Sequence, residues 1–293
     1  MKKYIAVAVL IVGVVSCKES LPPIDFSEPV KVLIDSAYTV ENIDSIMVSK
    51  RGILIEDLTG VRCVNCPDAA AAAANIKLND EDRQVVILGL YTLAPPAFST
   101  PFPNYQDLRT DAAQNIGSNI YAFSNLLPGG GVNRTPLSEG EPLNVSYPQW
   151  QSLANRFADD SAIVNIDVSR TFVNDSTVEL IGNFEFIEDA NAEPFVAIFL
   201  LEDDIAHPQY YSGGTNYDYI HKHVVRKAYT AYNGISLFGT ETGLAIKGGG
   251  LKKGWELNIP SYVDAAKASI VVVVSYNNGE NKEVIQCTEV KLK

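Results

Sequence analysis

Histidine and cysteine are scarce in this chain, with three of the first and four of the second in 293 residues. A structural zinc site needs four closely spaced ligands. The only partners for a CxxC half-site would be Cys287, His207, His221 and His223, all distant in sequence. Positive charge is also in deficit: 23 Lys and Arg stand against 35 Asp and Glu, for a net charge of −12. That balance excludes a nucleic-acid reader and a binder of anionic lipid head groups. After the N-terminal segment, no apolar stretch approaches the roughly 20 residues that a membrane helix needs. The longest, Ile270 to Val274, reads as a buried strand. No phosphate-binding glycine loop, hydrolase triad or internal repeat is present. No metal and no organic cofactor is expected.

What is present begins at the N-terminus. Lys2 and Lys3 precede an uncharged apolar run, Tyr4 to Val15, which ends in Val14-Val15-Ser16-Cys17. This is the layout of a secretory signal peptide, too short to span a bilayer. Small or aliphatic residues leading to a cysteine resemble the bacterial lipobox. That resemblance implies cleavage before Cys17, lipid on Cys17 and a membrane partner through the anchor, with multiple acylation giving a firm hold. Ordinary secretion, with Cys17 a chance residue, is the alternative. Losing Lys2 and Lys3 takes the net charge to −14. The polar, proline-bearing stretch that follows reads as a tether.

The expected organisation is therefore a signal peptide (1–16), a lipid tether (17–29) and two domains, 30–160 and 161–293. In the first, Lys31 to Ser49 holds one or two short strands, Gly52 to Leu58 and Gln84 to Thr92 are strands, and Pro67 to Leu78 is a helix. The helix contains the alanine run Ala69 to Ala74, and Pro67 suits its first turn. The proline-rich stretch Leu93 to Tyr105 reads as an irregular loop or insertion. Thr110 to Phe123 and Tyr147 to Asp160 look helical. After Ser161 alternating strands dominate: 162–173, 177–187, 195–202, 255–259, 269–276 and 283–290, with a hairpin turn at Asn277-Asn278-Gly279. The expected class is α+β and multidomain, an α/β unit followed by an antiparallel sandwich.

The chemistry centres on Cys63-Val64-Asn65-Cys66, after a strand and at the start of a helix. A thiolate there is stabilised by unpaired N–H groups and the helix dipole, and Arg62 adds positive charge. In an oxidising compartment the pair can close into a disulfide, either exchange-active or permanently structural. Cys287, in a strand-forming segment, reads as a small buried hydrophobe.

The strand–CxxC–helix order resembles the thioredoxin fold. That resemblance implies a buried proton-transfer acid at Asp57, with Glu56 as the alternative because strand neighbours point to opposite faces. It also implies a cis-proline at Pro128 that shapes a peptide groove. Departures are Arg62 before the first cysteine, the proline-rich insertion and a glycine triplet that would leave the edge after Pro128 bare. Leu54-Ile-Glu-Asp-Leu-Thr-Gly60, the CxxCP run, Val132-Asn133-Arg134 and Tyr219-Ile-His-Lys-His-Val-Val-Arg226, together with the lipobox, resemble the Bacteroidetes family of twenty-eight-kilodalton outer-membrane lipoproteins. That family implies a thioredoxin-like domain followed by an immunoglobulin-like sandwich, and an outer-membrane address on the periplasmic or cell-surface face. Asp35-Ser36-Ala37, Asp44-Ser45-Ile46, Asp160-Ser161-Ala162 and Asp175-Ser176-Thr177 match a short O-glycosylation pattern of that phylum, and Cys17-Lys18-Glu19 weakly resembles a surface-export signal.

Two functional readings follow. In the first, Cys63, the more exposed thiolate, attacks a protein or peptide partner. Cys66 resolves the mixed disulfide, Asp57 moves the proton and Pro128 positions the partner backbone. In the second, the disulfide is structural and the protein is a non-catalytic binding or adhesion lipoprotein. Tyr210, Tyr211, Tyr217 and Tyr219, around Gly213-Gly214, would then form a binding loop on the sandwich. His221 and His223 alternate on a strand and are expected on a solvated polar face rather than as metal ligands.

Overall fold

The computed structural model describes residues 30–42, 46–80, 83–124, 126–239, 245–279 and 281–293. The signal peptide, Cys17 and the tether lie outside the described residues, as do Asp44 and Ser45. The strands are β1 (Lys31–Thr39), β2 (Ile53–Thr59), β3 (Val85–Tyr91), β4 (Gly129–Val132), β5 (Val164–Asn174), β6 (Thr177–Phe186), β7 (Pro194–Glu202) and β8 (Ile205–Ala206). They continue as β9 (Gln209–Tyr211), β10 (Gly214–Asn216), β11 (Ile220–His221), β12 (Val224–Ala228), β13 (Ile235–Ser236), β14 (Gly249–Asn258), β15 (Ala268–Tyr276) and β16 (Val284–Lys291). The helices are α1 (Cys66–Leu78), α2 (Pro96–Ser99), α3 (Asp111–Asn119) and α4 (Trp150–Asn155). The class is mixed α and β, dominated by strands.

β2 and β3 pair in parallel, are buried on both faces and read accordingly as near-continuous apolar runs. β6 instead alternates between buried and half-buried positions, because one face meets the core and the other meets solvent. β1, β14, β6 and β5 form an antiparallel four-stranded sheet. Its inner face, with Leu180, Phe184, Leu251 and Trp255, packs on Ile198, Leu200, Val272 and Val274 of a second sheet. That second sheet runs β16-β15-β7-β12-β3-β2-β4, with β13 also on β7.

The second sheet crosses the expected boundary at 160/161, so the two sequence halves share one hydrogen-bonded sheet. It does so at two seams. At one, Val224 pairs in parallel with Gly89, and Gly89 N donates to His223 O at 2.7 Å. A Cβ on residue 89 would sit 3.0 Å from that carbonyl, so glycine permits the approach. At the other, the ends of the sheet meet: Val284 N on β16 donates to Asn133 O, just after β4, at 3.0 Å. The sheet thus curls into a near-closed ring. Inside lie Leu54, Leu58, Val86, Leu88, Phe199 and Val273, together with Ile116 of α3. Outside the β2–β3 side, α1 and α4 pack Ala69, Ala73, Ile76, Trp150 and Leu153 on Ile53, Ile55 and Ile87. β1, expected in the first domain, belongs to the four-stranded sheet through its pairing with β14.

Asn133 and Arg134 carry the second seam. Asn133 is fully buried; its Oδ1 accepts from Leu54 N at 2.7 Å and its Nδ2 donates to Gly52 O at 3.3 Å. Both residues have left-handed backbones, φ 48° and 53°, a conformation that asparagine tolerates better than most residues. Arg134 Nη2 lies 2.8 Å from Glu56 Oε1, and its Nε donates to Oε2 at 3.0 Å. Tyr121 OH donates to the same Oε2 at 2.6 Å. Glu56 is thus a fully satisfied structural carboxylate inside the ring. The glycine edge of β4 is not bare: Asn144 Oδ1 accepts from Gly130 N at 2.8 Å, and Val145 N donates to Gly130 O at 2.7 Å.

Replacing Arg134 with Met strands a buried carboxylate. We expect a loss of about 3–5 kcal/mol in urea unfolding. In Arg134→Met/Glu56→Gln, which removes both charges, the loss should be smaller.

Candidate functional site

β2 ends at Thr59, and a turn leads to α1. Cys63 N donates to Gly60 O at 3.0 Å, and Cys66 N to Cys63 O at 3.3 Å. Cys63 and Cys66 form a disulfide, with Cα atoms 5.4 Å apart. The helix begins at Cys66, after Asn65 as N-cap, so only Cys66 lies in the helical first turn; Cys63 sits in the turn before it.

Both cysteines are 2% exposed, which overturns the expectation of an accessible Cys63. Two insertions cover the turn. The proline-rich segment carries the short helix α2 and presents Phe98 O to Arg62 N at 2.8 Å. Gly60 faces it so closely that a Cβ would fall 2.4 Å from Phe98 O. The segment between β7 and β12 covers the other side. Tyr210 N donates to Val61 O at 3.0 Å, and Gln209 Nε2 donates to Cys63 O at 2.9 Å and Gly60 O at 3.3 Å. Arg62 is committed to this clamp. Its Nε donates to Thr100 O at 2.7 Å, its Nη1 to Tyr210 OH at 3.2 Å, and its guanidinium lies over Phe102, 4.6 Å from the ring centre.

The tyrosine loop therefore does not form a separate surface on the sandwich. Tyr210 and Tyr211 lie on β9, against the CxxC turn, and Tyr211 packs edge-on to Tyr219 at 5.9 Å; Tyr217 alone is widely exposed. His221 and His223 do not share a strand or a solvated face. His221 ends β11 and is buried, while His223 follows it with a left-handed φ of 55° and is largely covered. Among the described residues no cluster of His, Cys, Asp or Glu could hold a metal ion. Cys287 is a free, buried thiol inside the ring, its pKa pushed up to about 12 by burial.

Asp57 and Glu56 point to opposite faces of β2, which resolves the choice between them. Glu56 is the ion-paired residue of the ring. Asp57 lines a cavity of about 310 Å³ that also reaches Cys66, Tyr91, Tyr219 and His221. Asp57 is 3% exposed, and its Oδ1 has no hydrogen-bond partner among the described residues. Burial alone raises its pKa to about 8. His221 is held neutral, its pKa lowered to about 4 by burial. The Leu127–Pro128 peptide is cis, and so is Ala94–Pro95 in the insertion, which nothing in the sequence signalled. Gln209 and Tyr91 are the site residues that sequence reasoning missed, and His221, expected on a solvated face, is instead buried beside them; Gln209 and His221 arrive from a segment distant in sequence.

Asp57 should make stability pH-dependent. The folded state keeps its proton up to about pH 8, whereas the unfolded chain releases it near pH 4, so the contribution is full below pH 4 and is lost as pH rises to 8. Asp57→Asn should match the native protein near pH 4 and exceed it at pH 8 by on the order of 5 kcal/mol in denaturant melts.

No curated protein matches the chain. Among solved structures, HBP35 of Porphyromonas gingivalis aligns with a TM-score of 0.62 at 15% identity, covering 83% of this chain and 76% of that one, which shows a shared fold. A domain of the outer membrane lipoprotein Omp28 from Porphyromonas gingivalis aligns at 16% identity over 44% of this chain and 88% of that one, with a TM-score of 0.30. The family described as outer membrane protein Omp28 matches residues 119–293, more than half of the chain, and those residues include the Asn133–Arg134 seam, the Gln209–Tyr210 clamp and β12 to β16. The chain belongs to the Omp28 family of outer membrane proteins.

Proposed function

We propose that this protein is a lipid-anchored binding protein of the outer membrane, in which a thioredoxin-like half and an immunoglobulin-like sandwich are fused into one scaffold and Cys63–Cys66 is a structural disulfide. The observation that carries this reading is the 2% exposure of Cys63 beneath Gln209 and Tyr210. An exchange-active cysteine must meet the sulfur of a partner; here that approach is closed by two chain segments held down through the hydrogen bonds of Arg62, Gln209 and Tyr210. Signal cleavage and lipid on Cys17 supply the anchor. Ser36, Ser161 and Ser176 of the glycosylation tripeptides are exposed, as sugar attachment requires.

Thiol–disulfide exchange is the second reading. The placement of Asp57 and Cys66 on one cavity favours it, since a raised buried acid there suits proton transfer to a thiolate. The cis-proline at Pro128 agrees with the thioredoxin resemblance.

Equilibration in defined thiol buffers, followed by alkylation and mass spectrometry, separates the two. We expect a potential below about −300 mV, as for structural disulfides. A value between about −120 and −270 mV, with Cys63 alkylated first, would establish exchange instead. Gln209→Ala removes the lid's anchor on the Cys63 carbonyl. It should speed reduction by dithiothreitol at least ~10-fold, one decade per 1.4 kcal/mol of lost protection, while circular dichroism stays unchanged.

A further inference from the structure

The cavity beside Cys66 has a buried polar atom without a partner at its floor. Its buried end is Asp57, whose Oδ1 lacks a partner among the described residues, and burying such an oxygen unpaired is costly. The neighbouring Tyr91 has its hydrogen committed. His221 Nε2 faces His207 O at 3.0 Å and must donate there, so His221 Nδ1 accepts from Tyr91 OH at 2.5 Å. Tyr91 Oη is left with lone pairs only. Tyr211 and Tyr219 add aromatic surface, and the Tyr219 ring lies 4.6 Å from that of His221. The facing wall is apolar and comes from the alanine run, Ala70, Ala71 and Ala74 of α1, with Ile87 of β3. Lys222, which also lines the cavity, pairs outward with Asp204 at 3.0 Å on a 60% exposed side chain.

We propose that this cavity binds a small primary ammonium compound with a short aliphatic stem. The ammonium donates to Asp57 Oδ1 and Tyr91 Oη and supplies the counter-charge that the carboxyl lacks. The tyrosines add cation–π attraction, and the stem lies along the alanines of α1. A volume of about 310 Å³ sits at the low end for small-molecule pockets, which limits the stem to a few carbons. The alanine run thereby gains a role: Ala69 and Ala73 pack in the core, while the small side chains between them leave the cavity open. The inference rests on the binding reading above and names its ligand class.

Binding a cation ionises Asp57, which free protein holds protonated up to about pH 8. One proton is released per ligand below that pH, so affinity rises about tenfold per pH unit from 6.5 to 8 and then levels. An alkylammonium, like lysine, keeps its own charge across this range. Of the other groups facing Asp57, Tyr91, Tyr211 and Tyr219 are pushed above the ordinary tyrosine value, and His221 and His223 lie below the ordinary histidine value. Lys222 is ion-paired, and Cys66 is in the disulfide.

The test is isothermal titration of the mature protein in detergent, disulfide intact, with n-pentylammonium, 1-pentanol and pentanoate. We expect pentylammonium to bind at least ~10-fold tighter than either congener, with the rising pH profile, a preference worth at least ~1.4 kcal/mol. Asp57→Asn should abolish both the preference and the pH dependence. Ala71→Leu, at an exposed position that leaves the fold intact, should block all binding by filling the mouth. No binding of pentylammonium, equal binding of the alcohol, or an unaltered Asp57→Asn profile would overturn the proposal. Each of those results leaves the reduction potential of Cys63–Cys66 untouched, so failure of the ligand class and failure of the scaffold reading are separately visible.

Discussion

Everything else in the fold leans on the closure of one sheet by Asn133. Its backbone takes Leu54 O and offers its own carbonyl to Val284, and its side chain holds Leu54 N and Gly52 O. One buried amide therefore joins β2, β4 and β16. Arg134 then fixes Glu56 inside the ring, where Tyr121 completes the carboxylate's bonds. A buried charge pair is weak support for stability by itself, but it punishes any register that leaves one member alone. Because side chains alternate along β2, anchoring Glu56 inward compels Asp57 outward, toward Cys66 and the cavity.

Much of this was legible in the sequence. The apolar runs of β2 and β3, the alternation of β5 and β6 and the Pro67 start of α1 are local patterns, and local patterns survive in the fold. The CxxC motif, Asp57 and Pro128 were located by order along the chain. What could not be read was long-range. β1 pairs with β14, some 220 residues away, and nothing in its composition names that partner. The boundary near 161 was inferred from a change of periodicity, yet Gly89 and Asn133 carry the sheet across it, each through close backbone approach rather than a hydrophobic signature.

The same limit explains the covered disulfide. A CxxC at a strand–helix junction suggests an exposed nucleophile, and the local turn agrees. Gln209 and Tyr210 reach it from a segment about 145 residues later, and the proline-rich insertion from about 35 later. The tyrosines were recognised as a distinctive cluster, but only the β8–β11 fold-back places them over the cysteines instead of on the sandwich.

Closure by β16 also dictates the order in which this chain can become a protein. β2 and β3 bury Leu54, Val86 and Leu88 against Val273, Val284 and Cys287, residues delivered some two hundred positions later. A chain folding from its N-terminus would thus present the parallel pair β2–β3 with its inner face uncovered until the last strands join. Packing that depends on contacts so distant in sequence forms slowly and leaves sheet edges open to the wrong neighbours.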